Sequence, residues 1–239
     1  RVAMNMRMRK SLLALGTAGL MLLSACGGSG DGNGKAGESP SVDASKLGDT
    51  GSAQDPTRQG PVEIEGAETG GIVKLISIAG LNTMDPSEAY YTNTSGILGG
   101  LVTRSLTQYA YDPETDSVTL VPDLATDTGQ ANEDFTEWKF TIREGVKYEN
   151  GDPVTAEDVK FGMERTMDLQ TFPESPGFYS AEYFLGGDKF DGPYSSKGKK
   201  TLDSISVDGM TITIKMAKPF PGMAYWAAFP ANGPIPQGD

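Results

Sequence analysis

Apolar and polar residues alternate with a period of two in several short stretches of the chain. Between positions 138 and 143, Trp138, Phe140 and Ile142 alternate with polar residues, which is typical of a half-buried strand. After a turn at Glu144-Gly145, the apolar positions of Val146–Tyr148 predict a second short strand. These alternations predict sheets that have one face buried.

Two further stretches have the pattern of a hairpin. Residues 106–111 and 118–121 are apolar strands separated by a polar, proline-containing turn. Residues 202–216 alternate on both sides of Asp208-Gly209, and this dipeptide between alternating strands favours a type I′ turn. The Ile72–Ile78 run is apolar on both faces and predicts a buried first strand.

The period changes to about four after a turn at Asn150-Gly151. Thr155 is a good N-cap, and acidic residues follow it in the first turn, where the helix dipole favours negative charge. Val159, Met163 and Met167 then repeat at every fourth position. We therefore expect a helix after Thr155, so the periodicity of this region predicts a strand, a turn, a strand, a turn and a helix.

The N-terminal residues have the pattern of a targeting segment. Residues 1–25 combine a cationic start with a short apolar stretch, as in a secretory signal peptide. Leu23-Ser24-Ala25-Cys26 resembles a lipobox, so Cys26 is predicted to be lipidated and to become the mature N-terminus. The alternatives are a short core helix or a plain secretory signal. Residues 26–71 are rich in Gly, Ser and Asp and predict a flexible tether.

Composition narrows the functional classes. The net charge of −12 argues against nucleic-acid binding. One cysteine and no histidine argue against most zinc sites, Cys–His nucleophiles and histidine acid–base catalysis, and no cofactor or metal is expected. The acidic residues 133, 134 and 137 and the basic run at 197, 199 and 200 are both interpreted as solvated loops.

The longest recognisable motif lies between Trp138 and Val159. It closely resembles the signature of the family 5 extracellular solute-binding proteins, the dipeptide, oligopeptide and nickel receptors of bacterial ABC importers. The residues that carry the resemblance are Trp138, Phe140, Arg143, Gly145-Val146, Tyr148, Gly151-Asp152-Pro153 and Thr155 to Val159. Weaker similarities occur at Leu81–Pro86 and Pro122–Ala125.

This resemblance implies an α/β fold of the type II periplasmic-binding-protein kind, with mixed sheets and flanking helices. It also implies a truncated molecule with part of domain I and most of domain II. Residues 72–106 would form the first segment of domain I, and residues 107–239 would form domain II and the start of the return to domain I. One wall of the ligand cleft would lie beyond Asp239.

The same resemblance implies ligand contacts in the loop that precedes the first helix. Tyr90, Tyr91, Thr92 and Asn93 occupy that loop, and tyrosine combines broad apolar contact with one polar group. The alternative is that one tyrosine packs in the interior and the other lies on the surface.

The implied function is a lipid-anchored, substrate-binding component of an ABC importer, and no enzymatic activity is expected. Its partners would be a peptide or another small solute, the permease subunits and, through Cys26, the membrane. The protein would lie at the cell surface or on the periplasmic side of the cytoplasmic membrane. Two alternatives stay open: a truncated lipoprotein remnant with a structural or interaction role, and a secreted carboxylate-based hydrolase with two converging acidic groups.

Overall fold

The alternating residues around Trp138 form an inner strand of a four-stranded antiparallel sheet. The structure, a computed structural model, describes residues 54–58, 66, 68, 70–112 and 116–237. The signal peptide, Cys26 and most of the predicted tether lie outside these residues. The strands are β1 (Thr107–Asp112), β2 (Ser117–Pro122), β3 (Gln130–Ala131), β4 (Glu137–Thr141), β5 (Ile205–Asp208) and β6 (Thr211–Lys215).

Both predicted hairpins are present. β1 and β2 form a two-stranded antiparallel sheet, and the larger sheet has the order β3-β4-β6-β5. The ladders between the named strands are antiparallel, and one isolated parallel bridge joins Gln54 to Leu120. Asp208 pairs with Thr211, so Gly209 and Met210 form the turn between β5 and β6. Gly209 has φ +58° but Met210 does not have a positive φ, so the predicted type I′ geometry, which needs both, is wrong.

Within the residues that the structure describes, four short α-helices accompany the sheets. They are α1 (Thr92–Ile97), α2 (Ala156–Thr166), α3 (Gly177–Tyr183) and α4 (Met223–Trp226). One π-helical turn follows α1 at Leu98–Val102, and 3₁₀ turns occupy Pro86–Glu88, Gly187–Lys189 and Pro230–Asn232. The predicted α/β class, with sheets flanked by helices, is confirmed.

The main core lies between the large sheet and α2. Trp138 and Phe140 face Ile214 and Ile212 across the β4–β6 ladder, and all four side chains are buried. The Trp138 and Phe140 rings stack with their centroids 6.1 Å apart. Buried aromatic and aliphatic side chains of this kind supply most of the free energy that stabilises a small domain.

Helix α2 begins as predicted. The Thr155 hydroxyl accepts from the Asp158 backbone N–H at 3.2 Å, and the Asp158 carboxylate accepts from the Thr155 N–H at 2.9 Å. This capping box satisfies two backbone donors that a helix start otherwise leaves unpaired. Val159, Met163 and Met167 are buried along one face of the segment, so the period of four indeed marked the core side.

The predicted strand at Val146–Tyr148 is wrong. Gly145 and Gly151 both have positive φ, at +79° and +93°, and the two turns leave only a few residues between them. The segment makes one bridge, from Lys147 to Pro153. The Tyr148 N–H donates to the Asp152 carbonyl and the Val154 N–H donates to the Val146 carbonyl, both at 2.9 Å. These two bonds close a single bridge between the two turns and not a longer ladder.

The predicted strand at Ile72–Ile78 is also wrong for the described chain. Residues 72–78 have no regular secondary structure, and the side chains of Ile72 and Ile76 are 88% and 99% exposed. An apolar strand of this kind forms only where neighbouring strands and a covering layer bury both of its faces. The part of the chain that the structure describes places neither against it.

We predict that Trp138→Ala lowers the free energy of unfolding by about 3–5 kcal/mol, because the substitution removes a large buried side chain. The indole is 5% exposed and donates to the Phe220 carbonyl at 3.2 Å. Urea denaturation measures the loss. Lys139→Ala, on the exposed face of the same strand, is the matched control and should change stability little. A loss below about 1 kcal/mol for Trp138→Ala would contradict the assigned core.

Candidate functional site

Four partly exposed aromatic side chains meet on the surface where the segment before α1 crosses α3. Tyr90 and Tyr91 come from that segment, and Phe178 and Tyr179 come from the first turn of α3. Their exposed fractions lie between 36% and 52%. We call these four residues the aromatic cluster. Exposed aromatic faces gathered in one place are typical of binding surfaces.

Tyr90 is the centre of the cluster. Its ring centroid lies 5.9 Å from that of Phe178, nearly edge-on at 78°, and 6.1 Å from that of Tyr91. The Tyr90 and Tyr179 hydroxyls share a hydrogen bond of 3.2 Å. This bond raises the pKa of Tyr179, so Tyr179 is uncharged at neutral pH. The cluster therefore presents ring faces and a hydroxyl pair.

A buried tryptophan supports the cluster from beneath. The Trp226 ring of α4 packs edge-on against Tyr179 with the centroids 5.4 Å apart. Its indole N–H donates to the Ser180 hydroxyl at 3.1 Å, and the side chain is 7% exposed. Gly177 allows α3 to approach α2 closely, because a Cβ at that position would lie 1.9 Å from the Thr166 carbonyl oxygen.

Polar contacts hold the segment before α1 against α3 and the loop that precedes it. The Asn82 amide donates to the Glu174 carboxylate at 3.0 Å, and the Thr94 hydroxyl donates to the Asn82 side-chain oxygen. Asn93 donates to the Gly80 carbonyl at 2.7 Å. The Asn82–Glu174 contact joins the segment before α1 to the loop that precedes α3, and the Tyr90–Tyr179 contact joins the same segment to α3 itself. The cluster therefore has two separate links.

Arg165 at the end of α2 makes the strongest of these connections. Its two terminal nitrogens reach the two Asp85 carboxylate oxygens at 2.6 and 2.8 Å, and one of them also donates to the Ser87 hydroxyl at 2.5 Å. The guanidinium carbon lies 4.0 Å from the centre of the Phe172 ring. A contact through two parallel hydrogen bonds fixes the relative orientation of the two groups and also pairs their charges. We call this arrangement the Arg165 clamp.

The clamp changes the protonation of Asp85. Partial burial acts to raise the pKa of this carboxyl, but hydrogen bonds from Arg165 and Ser87 lower it more, and the net pKa lies below the usual value. Asp85 is therefore ionised at neutral pH. The 3₁₀ turn at Pro86–Glu88 begins at this residue, since its carboxylate accepts from the Ser87 N–H at 2.9 Å.

The four residues expected to contact a ligand divide into two pairs. Tyr90 and Tyr91 are in the aromatic cluster, with Tyr90 packed against α3 and Tyr91 more exposed. Thr92 and Asn93 belong to the first turn of α1 rather than to a loop, and the Asn93 amide is engaged by Gly80. The packing of the two tyrosines also matches the alternative in which one packs and the other lies on the surface.

Sequence reasoning did not find Phe178 and Tyr179 as candidates. An adjacent aromatic pair directly after Pro176-Gly177 was the available signal. Their proximity to Tyr90 joins positions 89 residues apart, and no local pattern in the sequence encodes that separation.

The acidic loop residues expected to be solvated form contacts within their own turn. The Asp134 carboxylate accepts from the Thr136 hydroxyl at 2.6 Å, and this bond lowers the pKa of Asp134. Over the described ranges, no group of three His, Cys, Asp or Glu residues could hold a metal ion. Within the same residues, no helix is long and apolar enough to cross a membrane.

Comparison with protein families gives one match. The profile described as "Bacterial extracellular solute-binding proteins, family 5 Middle" matches residues 119–238. The oligopeptide-binding protein OppA of Bacillus subtilis (strain 168) is 31% identical over 109 residues, which cover 44% of this chain and 19% of OppA. The dipeptide-binding protein DppE of the same organism is 33% identical over 91 residues, covering 37% of this chain and 16% of DppE.

Solved structures show the same similarity. The clavulanic acid biosynthesis oligopeptide binding protein 2 superposes with a TM-score of 0.63 and 28% identity, over 70% of this chain and 30% of its own. Listeria monocytogenes OppA bound to peptide superposes with a TM-score of 0.53 and 23% identity, over 66% of this chain and 29% of its own. The chain thus matches less than a third of the length of these relatives.

We predict that Asp85→Asn lowers the free energy of unfolding at pH 7 by about 2 kcal/mol, because it removes charge-assisted hydrogen bonds. The folded pKa of Asp85 is depressed, so its contribution is present above the unfolded value of about 3.9 and is lost as pH falls through the folded pKa. Urea denaturation of variant and parent between pH 7 and pH 3 measures this. The free energies of unfolding of the variant and the parent should converge at the acidic end of this range.

Glu182→Gln is the matched control, since Glu182 pairs with Lys218 on the open surface. Exposed pairs contribute little, so this variant should resemble the parent at every pH. An Asp85→Asn loss that does not change with pH would contradict the assigned ion pair.

Proposed function

The chain belongs to the bacterial extracellular solute-binding proteins of family 5, and from this we propose that it captures peptides or similar small solutes as the lipid-anchored, substrate-binding component of an ABC importer. Its fold class is that of the type II periplasmic-binding proteins, over part of their length. Members of this family bind substrates for transport and are not enzymes.

The observation that supports a peptide ligand most directly is the match of more than 100 residues to OppA of Bacillus subtilis, which is named for oligopeptide binding. The dipeptide-binding name of DppE and the oligopeptide-binding name of the superposed protein agree with it. The matches cover a fraction of each relative, so the activity of the whole protein is carried over as a proposal.

We assign the ligand contact to the aromatic cluster, which includes Tyr90 and Tyr91, the two tyrosines expected from the sequence to contact a ligand. Its ring faces offer apolar contact to side chains of different shapes, while the hydroxyl pair offers a hydrogen bond to a peptide group. The Arg165 clamp and the packing of Trp226 against Tyr179 hold these rings in place before a ligand binds. A fixed surface binds more tightly than a mobile one, because less conformational entropy is lost on binding.

Thr92 and Asn93 have different roles in this proposal. Thr92 is exposed at the start of α1 and is available to a ligand. Asn93 supports the segment through its bond to Gly80 and would act on the ligand only through the position of the tyrosines.

Membrane attachment through Cys26 completes the proposed arrangement. A lipid on this residue would place the protein at the cell surface or on the periplasmic side of the cytoplasmic membrane. The sequence predicts a flexible, polar tether at residues 26–71, but Gln54 bridges Leu120 of β2. The residues that precede Gln54 would therefore separate the binding region from the bilayer. Delivery to permease subunits follows from membership of an importer family.

We predict that Tyr90→Ala and Tyr179→Ala each raise the Kd for a bound oligopeptide about tenfold, which corresponds to the loss of one aromatic contact and its hydrogen bond. Isothermal titration of the complete secreted protein that carries this sequence measures it. Tyr109→Ala, an equally exposed tyrosine on β1, is the matched control. Unchanged affinity in both cluster variants would refute the assigned site. If no peptide is bound at all, the proposed function itself fails.

We also predict that Cys26→Ala moves the protein from the membrane fraction to the soluble fraction or the medium, because the residue that receives the lipid is lost. Immunoblots of fractionated cells measure the distribution. Ser29→Ala, three residues away, should leave the protein with the membrane. Membrane association that persists in Cys26→Ala would rule out lipidation at this residue.

A further inference from the structure

A second concave surface lies at the other end of α3, between the 3₁₀ turn at Gly187–Lys189 and the loop before β5. It is a cleft of about 600 Å³, within the range of roughly 300–1,000 Å³ that small-molecule sites occupy. Its lining includes Lys189, Lys199 and Lys215 together with Leu185, Phe190 and Leu202. We call it the lysine cleft. It shares no residue with the aromatic cluster.

The walls of the lysine cleft are apolar and well supported. Phe190 and Leu202 are 8% and 5% exposed, so most of each side chain belongs to the core. The Leu202 N–H donates to the Glu164 carboxylate of α2 at 2.7 Å, and the Thr201 hydroxyl donates to the same oxygen at 2.8 Å. On the opposite side, the Leu185 N–H donates to the Lys215 carbonyl at 2.9 Å.

The charges at the rim are mainly positive. Lys199 pairs with Asp203, which also lines the cleft. Among the residues that the structure describes, no carboxylate lies within ion-pair distance of the Lys189 or Lys215 ammonium groups.

Other charged residues lie around the rim of the lysine cleft. Asp188 lies within the turn, Asp191 follows it by two residues, and Glu137 lies opposite Lys215 across the β4–β6 ladder. Lys197 and Lys200 add positive charge from the facing loop. Lys200 is engaged by the Ser195 carbonyl. The three lysines and one aspartate of the lining leave it positive, although the chain as a whole carries −12. An excess of one charge sign in a cleft attracts ligands of the opposite sign.

We propose that the lysine cleft binds a small organic anion that has an apolar body and a carboxylate. Lys189 and Lys215 would contact the carboxylate, and the half-exposed Leu185, with the edges of Phe190 and Leu202 that reach the surface, would contact the body. Two unpaired ammonium groups supply charge-assisted hydrogen bonds. The apolar walls supply contact that an inorganic anion cannot use. Of the basic run in the loop, Lys199 lines the cleft, and it pairs with Asp203.

The test uses benzoate as the probe and the isotopically labelled full chain, with backbone NMR shifts followed during titration. We expect saturable shifts confined to residues 185–190, 198–204 and 215. The Lys189→Gln/Lys215→Gln double variant should raise the apparent Kd by about tenfold or more. Both lysines are exposed, so folding is not at risk. The Lys139→Gln/Lys147→Gln variant removes the same charge elsewhere and should bind as the parent does.

Two further probes separate the contributions of charge and apolar contact. Benzyl alcohol has the ring without the charge, and inorganic phosphate has charge without the ring. Weaker binding of both than of benzoate supports the proposal. Benzyl alcohol or phosphate binding as tightly as benzoate would overturn it, as would equal affinity in the Lys189→Gln/Lys215→Gln variant or an absence of localised shifts.

Discussion

The contact on which the candidate site depends is the one between Arg165 and Asp85. Arg165 is the penultimate residue of α2, and the capping box that starts this helix sets its orientation. The guanidinium group brings Asp85, and with it the turn that leads to Tyr90, onto the same helix whose other face fills the core. Pairing also offsets the cost of partly burying both charges. The position of the tyrosines thus follows from the packing of α2.

This arrangement explains why the most recognisable part of the chain is not itself the candidate site. Residues 138–159 supply a core strand, a tight turn and a capped helix start. They are connected to the proposed ligand surface through α2 and its clamp. The exposed aromatic rings lie at the far end of that helix, where Gly177 brings α3 into contact with it. In this protein, the motif that identifies the family and the surface that would contact the ligand are separate.

Local signals predicted much of the fold. The alternation at Trp138, Phe140 and Ile142, the cap at Thr155 and the hairpin at Asp208-Gly209 depend on residues close together in sequence. Each is present in the structure, although the hairpin turn has one positive φ instead of the two that type I′ requires. The predicted strand at Val146–Tyr148 is wrong because two local turns, at Gly145 and Gly151, enclose the segment. The other failures occurred where non-local contacts decide the structure. Ile72–Ile78 has the residues of a buried strand, but a strand requires neighbours. Tyr90 was identified, whereas its partners Phe178 and Tyr179 were not, because their pairing is a product of the tertiary fold.

The central claim is that a peptide rests on the rings gathered between the segment before α1 and α3. The most direct measurement is a set of nuclear Overhauser contacts between a bound oligopeptide and the aromatic protons of the complete secreted protein. The account predicts contacts to the rings of Tyr90, Tyr91 and Phe178. A bound peptide with contacts only to tyrosines outside the cluster, such as Tyr109 of β1, would contradict it.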